Sequence, residues 1–479
     1  MASSIEQRTI DIIPHDERHG QARDLFTIWF GSNILPLTII TGALGPAVFG
    51  LNFTASLAAI IVGNLGGGLL MALHSAQGPK LGVPQMIQSR GQFGSIGSVI
   101  VVLIAVFMYI GFFASNLALA GETLNLANSS IDPKVGQILA AVIALIVVVF
   151  GYNLIHTLNK IATVVLGIAM IIGMIMVVTH GLPADFFTRG GGIGDSFGAF
   201  LGMVSIAATW QLAYAPYVSD YSRYMPKNDE GARAAFQASY WGCTLGSILP
   251  MVWGVMAALA IPDAADAING INTTVGSLGV VFMILFFLTA SQSNAINLYG
   301  GTLCTITVIQ TFATKWIPRA IGRWIIGAVF IILALYIALT LTDFLTSYSA
   351  FVLILMYMLI PWTAINLVDF YLIRKGKYHV ESFFHETGGI YGRFNWVAIG
   401  SYFIGILAEA PFANPSSAWK GMFVDSLGGA DIAWIVGLIV TGFVYYFWAD
   451  SSPSTRVPMP FDPDWAIRSN RAIAATLTE

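Results

Sequence analysis

Trp29-Phe30-Gly31-Ser32-Asn33-Ile34-Leu35-Pro36, with Gly42-Ala43-Leu44-Gly45-Pro46 close behind, sets glycines, prolines and an amide inside a run otherwise apolar enough to cross a bilayer. Proline lacks a backbone N–H and collides with the turn before it, so a helix carrying Pro36 and Pro46 frees backbone carbonyls. Hydrocarbon cannot satisfy them; such backbone must face protein or a watery cavity. The run therefore predicts a helix broken at membrane depth, enclosed by other helices. A second stretch of this kind is Trp210-Gln211-Leu212-Ala213-Tyr214-Ala215-Pro216, with Ser219 and Asp220 after it. Prolines that only kink packed helices would leave similar letters, but both stretches also carry polar side chains at the break.

The remainder of the chain supplies that enclosure. Of 479 residues, 56% are hydrophobic and 10% charged, against about 25% charged in soluble domains. Forty-nine glycines and twelve tryptophans fit the same solvent, because Gly is common in spanning helices and Trp gathers at headgroup level. Twelve apolar runs are expected to span as helices, at roughly 25–48, 53–75, 96–120, 135–152, 160–180, 197–224, 237–260, 276–299, 322–342, 347–372, 395–412 and 432–448. The ten-residue alternation of a membrane β-barrel is absent. The fold class is thus an all-α polytopic membrane protein.

Placing the first 24 residues in the cytoplasm puts 19 of the 22 Lys and Arg inside, leaving Lys134, Arg189 and Lys420 outside. Positive charge favours the cytoplasmic side, so both termini are expected there, in the cell membrane. The polar N-terminal segment lacks the apolar core of a signal peptide. With the two broken spans five helices apart, the chain divides into a tail (1–24), two five-helix repeats of opposite topology (25–180 and 197–372), two peripheral helices (395–448) and a second tail (449–479). Inverted repeats of this type meet near the midplane and offer half-helix ends to polar solutes and ions.

Several activities are excluded. A net charge of −3 with scattered cations gives no footprint for nucleic acid. The phosphate-loop pattern is missing, so energy would come from an ion gradient. Cys243 and Cys304 have no second Cys or His at metal-ligand spacing and read as packing residues. Paired midplane carboxylates, a helical His motif, a nucleophile beside a base and a carbonyl filter are all missing, which argues against an enzyme or a channel.

Phe112 and Asn116, one turn apart on the third span, put a ring beside an amide. That pair suits a flat heteroaromatic solute, stacking on its face and bonding its edge, although helix packing would use the same residues. Thr289-Ala290-Ser291-Gln292-Ser293-Asn294-Ala295-Ile296-Asn297 concentrates polar groups in the eighth span, whose hydroxyl and carbonyl oxygens suit a hard cation such as sodium. Of the acids, Asp220 and Asp369 stand near Arg223 and Arg374 at inner ends, where structural ion pairs are expected. Glu409, inside the eleventh span, has no assignable role. His74, near a helix end, is expected to be solvated or capping.

The strings Gly31-Ser32-Asn33 with Pro36, Gly63-Asn64, Ser219-Asp220-Tyr221-Ser222-Arg223-Tyr224, Gln292-Ser293-Asn294 with Leu298-Tyr299, and Pro361 with Val368-Asp369-Phe370-Tyr371 resemble the nucleobase-cation-symport-1 family. The likeness is to its purine-cytosine permease branch and runs from about Leu25 to about Lys377. It implies the leucine-transporter fold, with two inverted five-helix repeats and two peripheral helices. It also implies import of a nucleobase, cytosine or a purine, by cation symport, or of another flat amide-bearing solute such as allantoin, a hydantoin or a vitamin. By this resemblance the base lies between Phe112 and Trp210 or Gln211, with Asn116 and Asn294 on its edges and Asn33, Tyr214 and Gln292 beside it. Sodium, the candidate coupling ion, would sit on the Gly31 and Asn33 backbone with Thr289 and Ser293. No cofactor and no obligate protein partner is implied. Phe112 stands where relatives often carry Trp, and Gln292 where they often carry a hydroxyl, so the exact base and the choice of sodium or proton stay open.

Overall fold

The computed structural model describes residues 12–149, 152–261, 267–313, 320–385, 387–415 and 419–451. Of the expected tails, 1–24 and 449–479, residues 1–11 and 452–479 lie outside the described residues. Helix α1 (Ala22–Ser32) ends at the Gly31-Ser32-Asn33 segment, and α2 (Pro36–Ala47) starts on Pro36. At the first helical position a missing N–H costs nothing, because no partner awaits it. The two halves are bent by 59°. Asn52 caps α3 (Phe53–Ser75), its side-chain oxygen accepting from the Ala55 N–H at 2.9 Å. Two short helices, α4 (Gln77–Leu81) and α5 (Gln85–Phe93), fold the next connection. Then come α6 (Val99–Ala127), α7 (Pro133–Val149) and α8 (Tyr152–His180).

The second break is as expected: α9 (Phe197–Leu212) gives way to a turn through 213–217 before α10 (Val218–Ser222). Asn228 caps α11 (Asp229–Ala260), after which α12 (Ala267–Thr274), α13 (Gly279–Phe312) and α14 (Ala320–Thr340) follow. Capped by Asp343, α15 (Phe344–Leu367) widens into a π-helix at Val368–Ile373. The last two apolar helices are α16 (Trp396–Glu409) and α17 (Ala433–Ser451).

Among the described residues, seven helical segments are long and apolar enough to cross a membrane, or eight if the bent α1–α2 pair is one span. Four more, Pro133–Val148, Phe197–Leu212, Trp396–Phe412 and Ala433–Ala449, are apolar but shorter. Helix lengths are therefore less even than the sequence expects: α13 alone runs 34 residues. No strand forms among the described residues; Leu51 and Gly191 make an isolated parallel bridge.

Small residues let several helices meet backbone to backbone, the favoured packing where hydrocarbon gives no hydrophobic drive. A Cβ on Gly42 of α2 would lie 1.9 Å from the Met251 carbonyl oxygen of α11, and one on Gly254 would lie 1.8 Å from the Ile39 oxygen of α2. Gly63 and Gly67 of α3 press similarly on Val204 and Ala208 of α9, with oxygens at 2.4 and 2.3 Å, and Gly246 of α11 meets the Phe30 oxygen of α1 at 2.7 Å. Away from these seams, Ile161, Val164, Ile168, Ile171 and Ile175 form an exposed apolar stripe on α8, the face a lipid-bathed helix presents.

One end of the bundle, here the near end, gathers residues 12–20, 78–95 and 374–395. The Ile13 N–H donates to the Gly82 carbonyl at 3.0 Å, and Arg18 donates to the Ile13 and Pro79 carbonyls at 2.9 and 2.7 Å. Burial lowers the Arg18 pKa, yet a guanidinium stays charged in proteins. Asp369 pairs with Arg374 at 3.0 Å and accepts from the Tyr445 hydroxyl at 2.8 Å and from Tyr378, as its spacing suggested. Asp220 accepts from the Gln85 N–H at 2.9 Å, and the Arg223 Nε donates to the Asp220 backbone oxygen at 3.2 Å. His74 departs from expectation. It is fully buried, with Nδ1 2.9 Å from the Leu70 oxygen, because the Trp362 ring of α15 packs on it at 4.9 Å and Ser219 of α10 donates to its carbonyl at 2.9 Å, closing the helix end that hydropathy left open to water. The far end carries residues 48–52, 190–198 and 428–431.

Gly254→Leu should lower the thermal midpoint of the detergent-purified protein markedly, since overpacking a seam costs about 1–3 kcal/mol or more. Gly66→Ala should leave the midpoint unchanged or raise it, because nothing lies within 4 Å of a Cβ there.

Candidate functional site

The break between α1 and α2 frees backbone groups that neighbouring side chains satisfy. The Asn33 carbonyl accepts from the Thr38 hydroxyl at 2.7 Å and the Leu35 N–H at 3.0 Å. The Gly31 carbonyl accepts from the Ile34 N–H at 3.1 Å and from Thr163 of α8 at 3.3 Å. Asn33 itself is fully buried, and its Oδ1 receives three donors: the Trp210 indole at 2.7 Å, the Tyr214 hydroxyl at 2.9 Å and the Ser247 hydroxyl at 2.7 Å. Its Nδ2 donates to the Trp29 carbonyl at 2.7 Å. One amide thus ties the first broken helix to the second and to α11.

Gln211 extends the network. Its Nε2 donates to Asn64 Oδ1 at 2.6 Å, the Ser247 hydroxyl at 3.0 Å and the Cys243 carbonyl at 3.2 Å. Asn64 in turn donates to the Ile60 oxygen at 2.9 Å and to Met251 Sδ at 3.3 Å. Sequence reasoning missed Ser247 as a member and quoted Asn64 without a role. The available signal was an amide buried in a glycine-rich helix, which must find a partner or carry a large desolvation cost.

On the other side of the breaks, the Phe112 ring of α6 meets Trp210 edge-on at 5.9 Å and Phe351 of α15 at 5.3 Å. One turn along, Asn116 donates to Asn294 Oδ1 of α13 at 3.2 Å, and Asn294 donates to the Phe113 carbonyl at 3.1 Å. Gln292 is buried, and neither its amide oxygen nor its nitrogen has a hydrogen-bond partner. Toward the near end the aromatic set continues, with Trp29 edge-on to Tyr214 at 5.5 Å and Tyr109 stacked on Tyr217 at 6.0 Å. Tyr109 and Tyr217 were not among the sequence candidates.

The ion candidates are arranged differently. Thr289 donates its hydroxyl proton to its own helix, at the Leu285 oxygen 2.8 Å away, and Ser293 is half-buried. Gly31 and Asn33 lie across in α1 and its C-cap with their carbonyls bonded as above. Among the described residues no group of three His, Cys, Asp or Glu could hold a metal ion.

Replacing Asn33 by Leu would strand the donors of Trp210, Tyr214 and Ser247, each at about 1–3 kcal/mol. Asn33→Leu should therefore unfold at a clearly lower temperature, whereas Ser247→Ala, which leaves Asn33 two donors, should shift the midpoint far less.

A family model described as permease for cytosine/purines, uracil, thiamine, allantoin matches residues 12–437. The chain is 39% identical over 446 residues to a Bacillus subtilis protein named purine-cytosine permease YxlA, covering 92% of this chain and 95% of that one. It is 24% identical over 464 residues to the purine-cytosine permease fcyB of Emericella nidulans, covering 92% and 88%. Among solved structures, the nucleobase-cation-symport-1 transporter Mhp1, closed with bromovinylhydantoin bound, matches with a TM-score of 0.73 at 17% identity, over 97% of this chain and 99% of its own. The fold is that of Mhp1, and by the family match and the extent of the YxlA likeness, the chain belongs to the permease family for cytosine/purines, uracil, thiamine and allantoin.

Proposed function

We propose that this permease imports a nucleobase, cytosine or a purine, by cation symport through alternating access. The observation that carries the reading is the juxtaposition on α6 of the Phe112 ring, in contact with Trp210, and the Asn116 amide one turn along, bonded to Asn294 of α13. A nucleobase has two apolar π-faces and an edge of alternating donors and acceptors. An aromatic pair serves the faces, and amides, each offering both donor and acceptor, serve the edge. In this reading Phe112 and Trp210 stack on the base, Asn116, Asn294 and Gln292 bond its edge, and Asn33, Gln211 and Tyr214 brace the broken helices around it. Gln292, buried with both ends of its amide unpartnered, is suited to gain a partner when solute arrives.

The coupling cation in this proposal is sodium, held by the Gly31 and Asn33 carbonyls together with Thr289 and Ser293. Thr289 has spent its proton on its own helix, which turns hydroxyl lone pairs outward to a cation. The transport unit comprises twelve spans: repeats at 25–180 and 197–372, peripheral helices at 395–448, and tails at 1–24 and 449–479 on the cytoplasmic side of the cell membrane. The near end is then the cytoplasmic end. It needs neither cofactor nor obligate protein partner, and nucleic acid has no place in it. A second reading, import of allantoin, a hydantoin or a vitamin, is favoured by the same flat-solute geometry and by the breadth of the family description.

Thermal stability of the purified protein decides between them, since a ligand that binds only the folded state raises apparent stability by mass action. We expect cytosine or a purine, out of a panel with uracil, allantoin and a hydantoin, to raise the midpoint in sodium more than in potassium. A rise that follows pH and ignores sodium reassigns the coupling ion to the proton, and a rise with allantoin alone selects the second reading. Phe112→Ala should weaken binding of the active base by about 5- to 150-fold, the range of an aromatic–base stack worth about 1–3 kcal/mol.

A further inference from the structure

The peripheral helices α16 and α17 run antiparallel against each other along three close approaches. A Cβ on Gly437 would lie 1.8 Å from Glu409 Oε1, one on Gly405 would lie 2.0 Å from the Thr441 hydroxyl, and one on Gly400 would lie 2.7 Å from the Trp448 ring. Glu409 is 1% exposed, and neither carboxyl oxygen has a hydrogen-bond partner. The carboxyl therefore lies against the α17 backbone, inside an apolar helix pair, with no N–H, hydroxyl or cation among the described residues bonded to it.

Few titratable groups face it. Asp431, in the connection before α17, acts on it as a like charge; Tyr357 of α15 and Tyr402 of α16 are the other groups that feel its charge. No cation stands among them. Asp431 has what Glu409 lacks: it accepts from the Asn414 N–H at 2.8 Å, from the Ala433 N–H at 3.0 Å and from the Tyr357 hydroxyl. Burial raises the Asp431 carboxyl above the usual range and these three donors pull it back. Two neighbouring acids with such unequal donor sets divide the roles of proton holder and charge bearer between them. Asp431 and Asn414 also line a cavity of about 250 Å³ at the far end, together with Phe49, Gly202 and Leu353.

We propose that Glu409 is a proton-binding site between the peripheral helices, and that its proton keeps α16 and α17 closed against each other beside the far-end cavity. An ionised carboxylate in that position would sit on backbone without a donor and beside the Asp431 charge, which low-dielectric surroundings make very costly. Loss of the proton therefore forces the helices apart or draws water in from the cavity. Since the folded chain binds a proton that the unfolded chain releases at neutral pH, this contribution to stability is full only below the pH at which a free glutamate ionises, about 4, and declines as pH rises above it.

Infrared spectroscopy of the full chain in lipid vesicles, with carboxyl-labelled glutamate incorporated, tests the site without any substrate, so its outcome is independent of the nucleobase reading. The expected result is a neutral carboxylic-acid carbonyl band at pH 7 that moves with glutamate labelling, stays put with aspartate labelling, and vanishes in Glu409→Gln. That variant, which copies the protonated shape, should also keep its thermal midpoint on going from mild acid to mild alkali while the parent loses stability. A wild-type spectrum without a glutamate-sensitive acid band at neutral pH, or with a band that follows aspartate labelling, overturns the proposal even if Glu409→Gln fails to fold.

Discussion

The Asn33 side-chain oxygen is the point on which the core of the bundle turns. A helix broken at membrane depth is affordable only if every freed group finds a partner within the protein. Here the break is stabilised by an amide that belongs to it, accepting the Trp210, Tyr214 and Ser247 donors at 2.7–2.9 Å. Those donors come from the second broken helix and from α11, so the two interruptions are held in register by one acceptor. Around it the polar network, the aromatic set and the candidate stacking face on α6 all take their positions.

The breaks were legible where a proline stands with glycine or polar residues at a helix end, whereas Pro46, expected to break the first span again, lies inside α2, as Pro250 and Pro361 lie inside α11 and α15. Pro36 begins a helix, and Pro216 lies in the turn between α9 and α10. Helix ends were less legible, since apolar runs mark where lipid begins and not where hydrogen bonding stops. α11 starts at Asp229 under an Asn228 cap, well ahead of its apolar run, and α13 continues to Phe312 beyond the predicted span. His74 was misread for a related reason: hydropathy treats a polar connection as wet. The connection instead folds into α4 and α5, and Gln77, Gln85, Gln88 and Gln92 are all fully buried there. Ser247, an ordinary hydroxyl in sequence, gains its importance from standing opposite Asn33 across a helix interface.

The distribution of buried polar groups divides the molecule by role. At the α1–α2 and α9–α10 breaks the amides are extensively cross-bonded, which fixes one geometry. In the near-end connection, by contrast, both polar atoms of the Gln85 amide and an oxygen each of Gln88 and Gln92 have no partner. Unpartnered amides are costly in a dry interface and lose that cost when water enters. The near end is therefore closed by contacts that hydration relieves, whereas the Asn33 and Asn64 amides at the breaks are held by contacts that hydration would have to break.

The glycine seams have a mechanical consequence. Where Gly42, Gly63, Gly67, Gly246 and Gly254 bring backbones together, neither partner can slide without driving a carbonyl into a Cα. α1, α2 and α11 are thereby locked to one another, and α3 to α9; α11 also packs along α3, so that these five helices form one block. The faces between that block and α6 and α15 are lined instead by rotatable side chains, with Phe112 resting on Trp210 and on Phe351. Slip in this molecule belongs on that lubricated plane. The Phe112 ring, which lies on it, would then act as a bearing surface as well as the proposed stacking face.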